Sequence, residues 1–228
     1  MSSNGVRAVL GIETAFKTVS VCLLDHNTLQ LLALEELPLA RGHAEALTPA
    51  IERVVQKSGL TFASVYGLAV SVGPGSFTGT RIGIAAAKAL GATLKVPVWG
   101  VSALSAFAAP ALRLSTSSVA SVIDARNGLV YFQYHASDGT ILFPASVLPI
   151  KTAVRSLRSE EVLVTGAGAE IFAQEAGWAG ADVHVSGRSD SPGADEIALL
   201  AATGAADQLE PRPLYFGNNY ANPSKAWA

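Results

Sequence analysis

A chain of 228 residues, half of them hydrophobic, holds enough apolar material for one large domain or for two small lobes that each bury a core. With 16 Lys and Arg against 18 Asp and Glu, its formal charge is −2, which argues against both a basic stripe for direct nucleic-acid binding and an acidic solvating tail. The single cysteine, Cys22, excludes an internal disulfide framework and thiolate metal clusters, and favours the cytoplasm.

The opening stretch MSSNGVRAVL lacks the charged start, long apolar middle and small-residue cleavage pattern of a secretory leader. Its apolar residues lead instead into three short runs, RAVLGIE, TVSVCLLD and LQLLALEEL, whose branched side chains and polar breaks predict a meander of strands. A helix is expected from Ala44 to about Gly59, because Leu47, Ile51, Val54 and Val55 recur at three- and four-residue spacing. Pro49 is expected near its first turn or at a kink. VYGLAVSV then reads as a buried strand, Thr78 to about Leu94 as a second helix, VPVWGV as a strand and SALSAFAAPAL as a helix. Within the second helix, GIAAAKALGATL is interrupted by Lys88 and Gly91, and no run reaches the ~18 apolar residues of a membrane span.

After the break RLSTSS the order returns. VASVIDA, GLVYFQYH and TILFPASVLP read as strands, TAVRSLRS as a short helix and EVLVTG as a strand. AEIFAQEAG then reads as a helix, ADVHV as a strand and ADEIALLAATGAA as a final helix. Three strands leading twice into helix, strand and helix predict an α/β fold of two similar lobes with mixed sheets. The expected division is residues 6–106 for the first lobe and 107–216 for the second. The last helix is expected to pack back on lobe one, and residues 217–228 to form a flexible tail.

Between the fourth strand and the second helix stands SVGPGSFTGTRIG. A phosphate loop would need GxxxxGK followed by Ser or Thr, but Gly73–Thr78 is followed by Gly79, Thr80 and Arg81; a dinucleotide fingerprint fails because Thr78 stands at the third glycine. What remains is a tight turn into a helix N-terminus, which could hold an anion, or could simply be capped by Ser76 or Thr78. Inside the helix, Gly79, Gly83, Ala87 and Gly91 lie four apart and form a stripe of very small side chains. Each interior glycine costs on the order of 1 kcal/mol against alanine, so close approach is expected there, either by the lobe's own sheet or by a partner helix.

GPGSFTGTRIG, set between an apolar strand and an alanine-rich helix, resembles the signature of the bacterial TsaB (YeaZ) family. VLGIETAFKTVSVCLLD, RGHAEALTPAIERVVQKSGL, GVSALSAFA, VIDARNGLVYFQYH, GAGAE and PLYF are similar to further family segments, so the resemblance runs over nearly the whole chain. It implies an actin-like, sugar-kinase-like (ASKHA) fold and a non-catalytic role beside a TsaD-like paralogue, which transfers threonylcarbamoyl to adenosine 37 of tRNA (t6A formation). It also implies a TsaE-like ATPase as partner, contact with tRNA only through the complex, and no membrane association. In the family, the first two helices of lobe one contact the same helices of TsaD or of a second TsaB copy. Carried onto this chain, the expected partner-binding residues are Leu47, Ile51, Val55, Thr78, Gly79, Arg81, Gly83, Ala87 and Gly91.

Active members of the wider fold place an aspartate at the end of the first strand to hold phosphates. Here Glu13 and Thr14 stand there, followed by Ala15 and Phe16, so Glu13 and Ala15 also depart from the Asp-Thr-Ser usual in TsaB. Glu13 is expected to face solvent or cap a turn. Glu13, Thr14, Asp124, Gly166 and Gly168 form a candidate vestigial nucleotide set. The preferred expectation, however, is that Asp124 pairs with Arg126 to stabilise the turn and that Gly166 and Gly168 turn the chain into a helix. No two of the four histidines have ligand spacing, and His43 alone does not define a metal site. No GxSxG motif is present. No metal and no required cofactor are therefore expected, with at most weak ATP or ADP binding in the complex. The rival reading is an ATP-dependent phosphotransferase of the same fold.

Overall fold

The computed structural model describes residues 5–158, 161–187 and 190–216. The expected tail at 217–228 lies outside them. Three antiparallel strands, β1 (Ala8–Glu13), β2 (Thr18–Asp25) and β3 (Leu31–Pro38), lead into helix α1 (His43–Ser58) and a 3-10 turn at Phe62–Ser64. β4 (Val65–Ser71), α2 (Phe77–Leu94), β5 (Val98–Val101) and α3 (Ala103–Leu114) follow. The order then repeats with β6 (Ser118–Arg126), β7 (Leu129–His135), β8 (Ile141–Pro149), α4 (Ile150–Arg155), β9 (Val162–Thr165), α5 (Ala169–Trp178) and β10 (Val183–Val185). α6 (Ala194–Ala202) closes the series.

Each strand set forms its own five-stranded mixed sheet. Their orders, β3-β2-β1-β4-β5 and β8-β7-β6-β9-β10, are the same arrangement built twice. In both, the first three strands are antiparallel neighbours and the last two join in parallel through crossover helices. The predicted duplication is thus present in the hydrogen-bonded ladders, although the two halves share no visible residue-level repeat.

The chain divides into two compact units. One combines the residues up to Ala109 with Asp190–Leu214; the other runs from Pro110 to residue 189 and resumes at Tyr215. In the first unit, α1 and α2 cover one sheet face, where Leu10, Ile12, Leu68 and Val70 meet Leu47, Ile51, Val54 and Ile84. The strands are apolar on both sides because α6 covers the other face, packing Ile197 and Ala198 against Val9, Cys22 and Ala69. Gly11 sits where the Ala194 carbonyl of α6 approaches β1, leaving no room for a side chain. In the second unit, Phe132 stacks on Phe172 of α5 at 5.7 Å between ring centroids, within a core that also holds Val122, Val164 and Tyr134.

Candidate functional site

The glycine-rich segment between β4 and α2 is explained mainly by what lies beneath it. Ser76 is the N-cap of α2 and its Oγ accepts from the Gly79 amide at 3.2 Å, so of the two candidate caps it is Ser76 and not Thr78 that serves. The turn joining β1 to β2 then fits against the first turns of α2. The Ser76 amide donates to the Ala15 carbonyl at 2.7 Å, and the Thr14 hydroxyl donates to the Gly79 carbonyl at 2.8 Å. A Cβ on Gly75 would lie 2.6 Å from the Ala15 oxygen, and one on Gly79 would run into the Thr14 carbonyl. The bare backbone therefore accommodates another turn of the same unit.

The same holds along the helix. A Cβ on Gly83 would stand 2.5 Å from Thr14 Oγ1 and 3.3 Å from Val70, and Gly91 packs on Val98. Ala87 is buried as well. Of the two alternatives for the small-residue stripe, the structure supplies the internal one: residues 79, 83, 87 and 91 are covered by the unit's own strands. Leu47, Ile51 and Val55 of α1 are likewise buried in the core. Of the residues expected to touch a partner, only Thr78 and Arg81 are exposed, with the Arg81 guanidinium 3.7 Å over the Phe77 ring.

Sequence reasoning missed a second stripe on the opposite side of α2. Thr78, Ala85, Ala89 and Ala92 are exposed, with Ile82 and Ala86 half-buried beside them. On α1 the exposed residues include Ala44, Thr48, Glu52 and Gln56. The starts of the two helices border a hollow of ≈ 380 Å³ lined by Arg41, His43, Ser76, Thr78 and Ile82 among others. The His43 Nε2 lies 2.7 Å from the Phe16 carbonyl, which ties the start of α1 to the β1–β2 turn. Among the described residues no group of three or more His, Cys, Asp or Glu side chains could hold a metal ion, and no helix is long and apolar enough to cross a membrane.

Glu13 does not face solvent. It is fully buried at the end of β1, opposite Ser20 in the ladder; one carboxyl oxygen, Oε1, accepts from the Ala15 amide, so it caps the turn as expected. Oε2 has no hydrogen-bond partner among the described residues. Burial pushes the carboxyl up to about 7, against the opposing pull of the Ser71 hydroxyl and the Ala15 and Thr14 amides. Glu13 and Thr14 are thus spent on the turn and on α2.

Within the second unit the structure brings Asp124, Gly166 and Gly168 together. The Asp124 carboxylate accepts from the Arg126 backbone amide at 2.7 Å, so the expected ion pair with that residue is an amide contact at the hairpin. Gly166, at φ 105°, and Gly168 press flat on β6. A Cβ on Gly168 would lie 2.8 Å from the Asp124 amide, and the Gly168 amide donates to the Val122 carbonyl at 2.9 Å. These glycines are required by strand packing whether or not anything binds.

Residues 38–189 match the family model described as "TsaD: tRNA N6-adenosine threonylcarbamoyltransferase". The chain is similar to the tRNA threonylcarbamoyladenosine biosynthesis protein TsaB of Escherichia coli, with 36% identity over 131 residues, which is 57% of this chain and 55% of that one. Its fold is similar to that of YeaZ from Pseudomonas aeruginosa, with a TM-score of 0.74 and 26% identity over 92% of this chain and all of the other. At 12% identity the fold alone extends to the (R)-2-hydroxyglutaryl-CoA dehydratase component A of Acidaminococcus fermentans, with a TM-score of 0.53 over 87% of this chain and 99% of that one.

Proposed function

Because this chain belongs to the TsaB (YeaZ) family of the TsaD group, with an actin-like ASKHA fold, we propose that it serves t6A formation on tRNA as a non-catalytic subunit that holds a TsaD-like enzyme in its working shape. The observation that carries the non-catalytic part is the occupation of the β1–β2 turn. In enzymes of this fold that turn holds phosphates; here its Thr14 hydroxyl and Ala15 carbonyl are bonded to the start of α2 and its carboxylate is enclosed. In this reading no cofactor is required, tRNA is reached only through the complex, and a TsaE-like ATPase is a further partner.

The partner face is proposed on the outward side of α1 and α2, centred on Thr78, Arg81, Ala85 and Ala89. Small exposed side chains in register along a helix allow a second helix to approach closely, and the alternative occupant is the same face of a second copy. The test is size-exclusion chromatography with light scattering on the protein alone and mixed with a TsaD-type paralogue from the same genome. The wild type is expected to form a one-to-one complex. Ala89→Arg is expected to lose it while keeping its thermal midpoint. Unchanged association in Ala89→Arg would move the interface elsewhere, and no complex at all would overturn the reading. A thermal shift with ATP and magnesium, abolished in Glu13→Ala, would revive the phosphotransferase alternative.

A further inference from the structure

Among the buried ionisable groups outside any proposed partner contact, Glu13 is tied most directly to a surface element. Its Oε1 holds the Ala15 amide, the Ala15 carbonyl holds the Ser76 amide, and Ser76 is the residue from which α2 starts. On the neighbouring strand the Ser71 hydroxyl accepts from the Gly73 amide at 3.5 Å, so both ends of the 73–76 turn hang on groups beside this carboxyl. Oε2 meanwhile has no hydrogen-bond partner among the described residues, in a site with no exposed surface.

We propose that Glu13 is a protonation-dependent latch on the glycine-rich turn: neutral, it stays enclosed and the turn closes over it; ionised, it draws in water and loosens the Ser76 and Gly79 attachments. The chemistry is that of a fully buried, incompletely satisfied carboxylate, which is relieved either by taking a proton or by opening to solvent. Burial has already moved the group to about 7, so the change falls near neutrality. Among the described residues, the groups on the elements packed around it do not supply a compensating cation. β2 contributes Ser20 and Cys22, whose thiol burial pushes far up; β4 contributes Ser71; the first turn of α6 contributes Asp195 and Glu196, with Asp195 raising Cys22 further. Lys17, beyond the turn, is exposed. Any consequence for partner binding rests on the scaffold reading, whereas the latch itself does not.

The test is amide hydrogen exchange over residues 73–82 at pH 6 and pH 8, corrected for the intrinsic pH dependence, on the full chain without any partner. In the wild type, protection of the Ser76 and Gly79 amides is expected to fall several-fold at the higher pH. In Glu13→Gln it is expected to stay flat, and in Asp195→Asn, the control for the other acidic group on this side of the sheet, to follow the wild type. Should Glu13→Gln not fold, the carboxyl carbon of Glu13 is followed by NMR in the wild type, and is expected to titrate together with the Ser76 and Gly79 amide shifts. Protection independent of pH in the wild type, the same fall in Glu13→Gln, or a carboxyl midpoint in the ordinary glutamate range would each overturn the latch. Because no partner is present, those failures leave the scaffold reading untouched, and loss of TsaD association would leave the latch standing.

Discussion

At the scale of single residues, Glu13 makes the sharpest thermodynamic statement. A carboxyl held at about 7 in the folded chain and near 4.5 when unfolded binds more protons folded than unfolded between those values. Its contribution to stability is therefore fully present below about pH 4.5 and is lost as the pH rises to about 7. The loss amounts to about 3 kcal/mol at 1.36 kcal/mol per unit. Glu13→Gln, which keeps the shape and removes the charge, should match the wild type near pH 4 and exceed it in denaturant midpoint at pH 8. A constant difference across that range would show that the side chain acts by shape alone. Ser76→Ala should cost about 1 kcal/mol at pH 6, where the turn is closed, because it removes the N-cap acceptor for Gly79. The burial of Glu13 was not legible beforehand: an acid at the end of a strand ordinarily points to water, and only the closure of the 73–79 turn and α6 over opposite sides of that strand end makes this one an exception.

At the scale of elements, strands and helices follow their periodicities closely, and almost every one stands within a residue or two of where branched apolar runs and three-four spacing place it. The direction in which α2 faces was not legible, and the reason is specific to its sequence. An alanine- and glycine-rich helix carries small residues on two opposite faces, 79, 83, 87 and 91 on one and 78, 85, 89 and 92 on the other, and spacing alone gives no reason to choose between them. The choice is made by Thr14 and Val70, which leave space for hydrogen atoms but not for methyl groups. Gly79→Ala should therefore destabilise the chain by more than about 2 kcal/mol, although alanine is intrinsically favoured in a helix by about 1 kcal/mol. A raised thermal midpoint in Gly79→Ala would show that the Thr14 turn yields easily and that the close fit is not binding on the sequence.

At the scale of the molecule, the doubled element order foretold two lobes and two mixed sheets, while the discontinuity of the first unit depends on where the last helix goes. The last helix packs on the first sheet, as expected, and the physical reason lies in Gly11, Cys22 and Ala69, small residues that leave a trough for Ala194 and Ala198 there. A chain ended at residue 187 should expose that face and fail to form the first unit. Circular dichroism and exchange of the β1 and β2 amides would report the loss, and a cooperative, protected first sheet in the truncated chain would contradict it.

The interrupted first unit also sets a schedule for biosynthesis. Residues up to Ala109 leave the ribosome well before the helix that covers the second face of their sheet, which begins only after Asp190, about 80 residues later. At about 5–20 residues per second that is a wait of several seconds. During it, Val9, Cys22 and Ala69 stand open to water or to a chaperone, and the whole second unit can fold in the interval. Nascent chains stalled before and after α6 should accordingly differ in protease resistance at residues near the N-terminus, far in sequence from the segment that was added.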